Sequence, residues 1–345
     1  MNTAMNRSMR LRDVIRLPAL VCAGALLVAG CELPTAESEQ NGYRGTAMLQ
    51  LTYPSREAAL AALNEVPEPE PPVPVIPGLP SDWQNVEVLS DLNTLEMNRI
   101  MTAMTKWVGE EGNCNYCHVA GNFAADDKYQ KVVSRRMLQM TRDINAGWTD
   151  HVGDTGVTCY TCHRGRNVPE YIWWEDPGPD RVPQFSGWKH GQNVAHLPVT
   201  AYSSLPYDAL DAQIRDTEKI RVQSNYALPT DHVASIHQTE TTYSLMMHMS
   251  EGLGVNCTFC HNSRAFAEWE QSTPQRVTAW HGIRMAQDLN NAYLDPLQPV
   301  YPEMRLGPLG DAPKANCATC HQGVNKPLYG APMSQDYPSL RPDSG

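Results

Sequence analysis

Cys-x-x-Cys-His occurs four times in this chain, at Cys114, Cys117 and His118, at Cys159, Cys162 and His163, at Cys257, Cys260 and His261, and at Cys317, Cys320 and His321. Two thiols three positions apart can add to the two vinyl groups of one porphyrin, and the adjacent histidine then falls beneath the ring as proximal iron ligand. A single motif could be a zinc or redox pair; four together define a tetrahaem c-type cytochrome with four covalently bound haem c groups. With 27 Pro, 23 Gly and only four Phe in 345 residues, little is left for a conventional core. Four apolar macrocycles would supply much of what is buried. The expected fold is mainly α with much irregular coil.

Eight of the ten cysteines belong to the motifs, which leaves Cys22 and Cys31, both near the N-terminus. Residues 1–30 read as a signal sequence, with Arg7, Arg10, Arg12 and Arg16 ahead of the apolar run Leu17 to Gly30. The run closes in Leu27-Val28-Ala29-Gly30-Cys31, which is similar to a bacterial lipobox and makes Cys31 the candidate lipidation site. An ordinary cleaved signal and a retained anchor are the alternatives. Two or three acyl chains would hold the protein durably on a membrane surface. Covalent haem attachment points to the periplasmic side. Residues 1–30 carry four Arg and one Asp, so the formal charge of −11 becomes about −14 from Cys31 onward. Such an acidic chain repels nucleic acid and attracts basic partners.

Residues 31–82 read as a tether and Pro-rich coil, with a short helix from Arg56 to Asn64 capped by Ser55, then seven prolines between Val66 and Ser81. Haem units 1 and 2 occupy 83–166, a connecting segment with short strands, one near Lys219 to Gln223, occupies 167–238, units 3 and 4 occupy 239–325, and 326–345 is C-terminal coil. A repeat emerges within the units. Met101, Met137 and Met246 stand at one equivalent place on helical patterns, 17, 26 and 15 residues ahead of His118, His163 and His261. A second set, Met104, Met140, Met249 and Met285, is present in all four units and reads as core filler. The first set is missing once, at Gly282 of unit 4. Methionine thioether is the soft sixth ligand that raises haem potential, so Met101, Met137 and Met246 are the candidate distal ligands. Unit 4 needs another. His281, His190, His196, His232, His237 and His248 are available, but His151, in the loop between the unit 2 helix and its own motif, is placed to leave its unit.

Four such motifs, three with an upstream Met and the second with an intervening His, resemble the tetrahaem cytochrome subunit of purple-bacterial photosynthetic reaction centres. The strings GVTCYTCHRG at 156–165, NCTFCHN at 256–262, STPQR at 272–276 and CHQGV at 320–324 carry the same likeness. It implies Met101, Met137 and Met246 as sixth ligands of haems one, two and three and His151 for haem four. It implies two pseudo-symmetric halves and a haem row one, two, four, three. It also implies docking on the reaction-centre L and M subunits at the periplasmic face of the photosynthetic membrane. There the protein would re-reduce the bacteriochlorophyll special pair with electrons from a soluble c-type cytochrome or a high-potential iron–sulfur protein.

The expected role is therefore electron transfer without a bond-making catalytic residue. A multihaem enzyme would need an open or Lys-ligated iron, and four assignable sixth ligands argue against it. Two further expectations concern charge. Glu110, Glu111, Asp126 and Asp127 would ring the first haem and steer a basic donor, and Arg276, in the first turn of the unit 4 helix, would pair with a propionate.

Overall fold

The computed structural model describes residues 35–46, 48–74, 76, 83–178, 201–222 and 235–341. Cys31, Cys22 and the signal sequence lie outside them. Among the described residues no helix is long and apolar enough to cross a membrane.

The chain is mainly helical with much coil. The residues expected to be a tether instead begin with a hairpin, β1 (Glu37–Gln40) antiparallel to β2 (Leu49–Thr52), followed at once by α1 (Pro54–Leu63). Pro54, in the first turn, sets the helix start, and Ser55 makes no cap. The hairpin finds its partner far along the chain: Asn256 Nδ2 donates to the Leu49 carbonyl at 2.6 Å, and Asn256 N–H to Gln50 Oε1 at 2.9 Å.

Helix α2 (Thr94–Trp107) starts at a capping box, in which Asn93 accepts from the Glu96 N–H and Glu96 accepts from the Asn93 N–H. Its buried stripe, Met97, Ile100, Ala103 and Trp107, follows helical spacing. Helix α3 (Tyr129–Gly147) leads through α4 (Thr149–Val152), which carries His151, to the short α5 (Cys159–His163). After strand β3 (Ile172–Trp173) come α6 (Ala209–Ile214), α7 (Ile236–Leu253), α8 (Gln275–Asp288), strand β4 (Lys314–Ala315) and α9 (Cys317–His321). The one strand expected near Lys219 is absent from its described residues; β3 pairs with β4 instead.

Two glycines let helices end against neighbouring backbone. Gly109 (φ +80°) and Gly254 (φ +65°) adopt the left-handed region, and a Cβ on either would collide with the carbonyl of Gly165 or Gly323. At those contacts Gly165 N–H donates to Trp107 O at 2.9 Å and Gly323 N–H to Gly252 O at 2.8 Å. Thus α5 packs on α2, α9 packs on α7, and α5 and α9 pack on each other.

The C-terminal segment is no loose coil. It forms 3₁₀ turns at Pro327–Gly330, Met333–Asp336 and Pro338–Leu340, and buries Leu328, Met333, Tyr337 and Leu340 against α2. Arg99 clamps it to the Pro-rich segment, donating to the carbonyls of Asp336 at 2.6 Å and Glu70 at 2.7 Å while lying 4.2 Å over the Tyr337 ring. Tyr337 OH in turn accepts from the Glu70 N–H.

A buried ionic cluster joins α6 to β4. Lys314 has no exposed side-chain surface; it pairs with Asp311, approaches Asp295 at 3.9 Å and sits 5.0 Å from the Trp173 ring. Arg215 reaches Glu175 at 2.6 Å and Asp295 at 3.0 Å. Burial, then the Glu175 charge, pushes the Asp211 carboxyl up to about 7, although Lys314 and Arg215 oppose this. The folded chain therefore holds a proton that the unfolded chain releases near 3.8, and stability present at low pH is lost as pH rises through about 7. Asp211→Asn should flatten the fall in melting temperature over that interval; an unchanged pH profile would remove Asp211 as its source.

Candidate functional site

The four motifs alternate between two geometries. In the first and third, Cys114–Tyr116 and Cys257–Phe259 form single 3₁₀ turns. His118 Nδ1 donates to the Phe123 carbonyl at 3.0 Å, with the Phe123 ring stacked 4.8 Å away. His261 Nδ1 likewise donates to the Phe266 carbonyl at 2.9 Å, with its ring at 5.3 Å. In the second and fourth, α5 and α9 are capped by Thr158 with Thr161 and by Asn316 with Thr319. His163 Nδ1 donates to the Arg166 carbonyl at 2.8 Å, and His321 Nδ1 to the Val324 carbonyl at 3.0 Å.

A carbonyl only accepts, so in each case Nδ1 carries the proton and Nε2 keeps its lone pair for a metal. The same holds for His151, whose Nδ1 donates to the Thr278 carbonyl at 2.9 Å. Burial lowers the pKa of His151, His163 and His261, and burial with the adjoining His151 brings His321 down to about 4. Neutral imidazole is the form that ligates.

Burial also pushes the Cys159 thiol up to about 11 and the Cys317 thiol to about 12, which disfavours the thiolate that zinc or redox chemistry uses. Among the described residues no three or more His, Cys, Asp or Glu side chains converge on a metal position. An iron bound to these imidazoles brings its own equatorial donors, as a porphyrin does.

Space for a macrocycle is present at the first motif. Cys114, Cys117 and His118 line one side of a cavity of about 610 Å³ and Met101 lines another wall, a size suited to a cofactor. Met137 is half-buried on α3, and Met246 packs beside Trp173 and Leu245. The candidate for the fourth site is placed most sharply. The His151 ring occupies the space above Gly282, where a Cβ would overlap Cε1 and stand 2.8 Å from Nδ1. Its centroid lies 6.0 Å from that of His321. With a metal–imidazole bond of about 2.0 Å, two rings on one iron stand about 6 Å apart. Of the other candidates, His281 approaches Asp150 at 3.8 Å, His237 is exposed on α7 and His248 is buried in α7. His190, His196 and His232 lie outside the described residues.

Charge near the sites differs in part from expectation. Asp126 is held by Arg135 at 2.9 Å and Lys131 at 3.0 Å, which drives its pKa well below the carboxylate range. It is therefore not a free member of an acidic ring, and Glu110 is engaged by Asn167 at 2.7 Å. Arg276 lies 4.3 Å over Trp269 and donates to Ser272 Oγ at 2.7 Å. The supporting roles of Thr278, Phe123 and Phe266 were not anticipated; the shared His-x4-Phe spacing of the first and third motifs was the signal for the last two.

Thioether-forming cysteine pairs beside neutral, oriented imidazoles are the chemistry of a c-type cytochrome. Residues 32–341 match the family described as "Photosynthetic reaction centre cytochrome C subunit". The chain is 48% identical over 332 residues to the photosynthetic reaction center cytochrome c subunit of Rubrivivax gelatinosus, covering 95% of this chain and 90% of that protein. It is 49% identical over 329 residues to the subunit of the same name from Thermochromatium tepidum (94% and 80%), and 43% over 345 residues to that of Roseobacter denitrificans (93% and 90%). The chain belongs to the family of photosynthetic reaction-centre cytochrome c subunits. As such it is a membrane-associated electron-transfer component that carries covalently bound haem c.

Gly282→Ala should force the His151 ring out of its niche and cost about 1–3 kcal/mol. In a His151→Ala background the same change should cost far less. A double-mutant cycle from denaturant midpoints checks this, and additive costs would mean that the two residues do not share the space.

Proposed function

We propose that the chain holds four haem c groups in a row and carries electrons along it from a soluble periplasmic donor to the photo-oxidised special pair. The carrying observation is His151 lying over Gly282 at bis-imidazole distance from His321. The assigned axial pairs are Met101 with His118, Met137 with His163, Met246 with His261, and His151 with His321. Cys114 and Cys117, Cys159 and Cys162, Cys257 and Cys260, and Cys317 and Cys320 supply the thioethers. Bound haem iron supplies one-electron redox chemistry; the chain supplies ligands, spacing, burial and field.

The packing of α2 on α5, of α5 on α9 and of α9 on α7 supports the order one, two, four, three, with two pseudo-symmetric halves meeting between α5 and α9. The N-terminal hairpin supports the direction. It begins six residues after Cys31 and is tied to the third motif through Asn256 and through Ser263, whose Oγ donates to the Thr46 carbonyl at 2.6 Å. An acylated Cys31 would therefore hold the unit 3 end at the periplasmic membrane face, against the L and M subunits. Unit 1 is then the entry end, where Glu110, Glu111 and Asp127 remain to steer a basic c-type cytochrome, a high-potential iron–sulfur protein being the other donor class. Arg276, beside the third motif, is the residue assigned to a propionate there.

His151→Ala should open a single carbon monoxide site in the reduced protein while all four haems remain. Adding Gly282→Met should close that site and raise one midpoint, because a thioether favours the ferrous state more than imidazole does. A His151→Ala protein that stays fully six-coordinate would overturn the ligand assignment. Flash excitation of membranes should oxidise the unit 3 haem first; absence of any haem bleaching would overturn the relay.

A further inference from the structure

Where α5 meets α9, the second cysteines of two motifs touch. Cys162 Sγ and Cys320 Sγ are 2.6 Å apart. The contact is held by an exchange of side chains between the motifs. Arg164 Nη2 donates to the Cys320 carbonyl at 3.1 Å, and Gln322 Nε2 donates to the Cys162 carbonyl at 3.4 Å. Both donors directly follow a motif histidine and share the left-handed backbone, with φ of +49° and +47°. That conformation turns each side chain back across the junction. The capping boxes of α5 and α9 fix the helices that carry the sulfurs. Cys159 and Cys317, at the other end of each motif, have no such partnership: Cys159 packs in the α2 core.

We propose that the thioether sulfurs of Cys162 and Cys320 form the electron bridge between the two halves of the protein. The inference rests on the four-haem reading above. Each sulfur is bonded into its own macrocycle, so their contact joins two conjugated systems across a single non-bonded gap. Electronic coupling falls exponentially with the width of such a gap, and falls less steeply along bonds than across space. Sulfur is also soft and polarizable, with diffuse lone pairs. In the step itself one electron crosses: the iron of unit 2 goes from ferrous to ferric, the iron of unit 4 from ferric to ferrous, and no bond or proton changes place.

The test compares four variants in membranes that carry the whole photosynthetic complex, each leaving its motif one cysteine and its histidine. Cys159→Ala and Cys317→Ala report the general cost of a missing thioether. Cys162→Ala and Cys320→Ala should carry that cost plus a several-fold further slowing of transfer between units 2 and 4. They should also weaken the magnetic coupling between the two oxidised low-spin haems, read by electron paramagnetic resonance in the dark. Midpoints measured on the same samples separate driving force from coupling. Equal losses in all four variants would overturn the proposal. If a cysteine variant loses its haem, Arg164→Lys keeps all eight thioethers and removes only the bond to Cys320. Weakened coupling there supports the bridge, and unchanged coupling overturns it. Haem counting by mass spectrometry of the unaltered chain tests the four-haem reading separately: fewer than four haems sinks that reading, whereas four haems with an indifferent junction sinks only the bridge.

Discussion

Five hydrogen bonds from histidine Nδ1 to backbone carbonyls hold the site chemistry together. Each turns an ambiguous imidazole into a ligand with one committed nitrogen, and each costs nothing in charge because the acceptor is a neutral carbonyl. The carbonyls of Phe123, Arg166, Phe266 and Val324 come from the turn just after their own motif. The fifth, Thr278, belongs to a helix more than a hundred residues from His151. Four ligands are thus set by local turns, and one requires the tertiary fold to exist first. That is the physical reason the fourth site binds the two halves together: its two imidazoles come from different units.

What was legible in the sequence follows the same division. The motifs, the four long helices and the missing methionine at Gly282 are local signals, and each marked a position the structure uses. The hairpin of residues 37–52 was not legible, because its strands are short and polar and its stabilising partner, Asn256, lies some two hundred residues away. The C-terminal turns were not legible either: a Pro- and Gly-rich tail reads as coil until Tyr337 and Leu340 are seen against α2. Lys314 gave no sign of its burial, since a lysine is normally exposed and only the converging Asp311, Asp295 and Trp173 make its interior position tolerable.

The two motif geometries fit the two places they occupy. Units 1 and 3 end in open 3₁₀ turns, and their histidines are shielded by a stacked phenylalanine that is itself about half exposed: Phe123 at 54% and Phe266 at 48%. Units 2 and 4 are capped α-turns wedged between helices, and His321 is buried deeply enough to lower its pKa to about 4. Ends of a relay need a thin cover through which a partner can exchange an electron. Its middle needs the reverse, a dry and rigid surrounding, because a solvent shell that reorganises around each charge slows every internal step. A stacked aromatic ring gives cover without thickness, and a capped helix gives rigidity without access. The chain spends its scarce phenylalanines accordingly, with two of the four beside the end histidines and none in the motif turns of units 2 and 4.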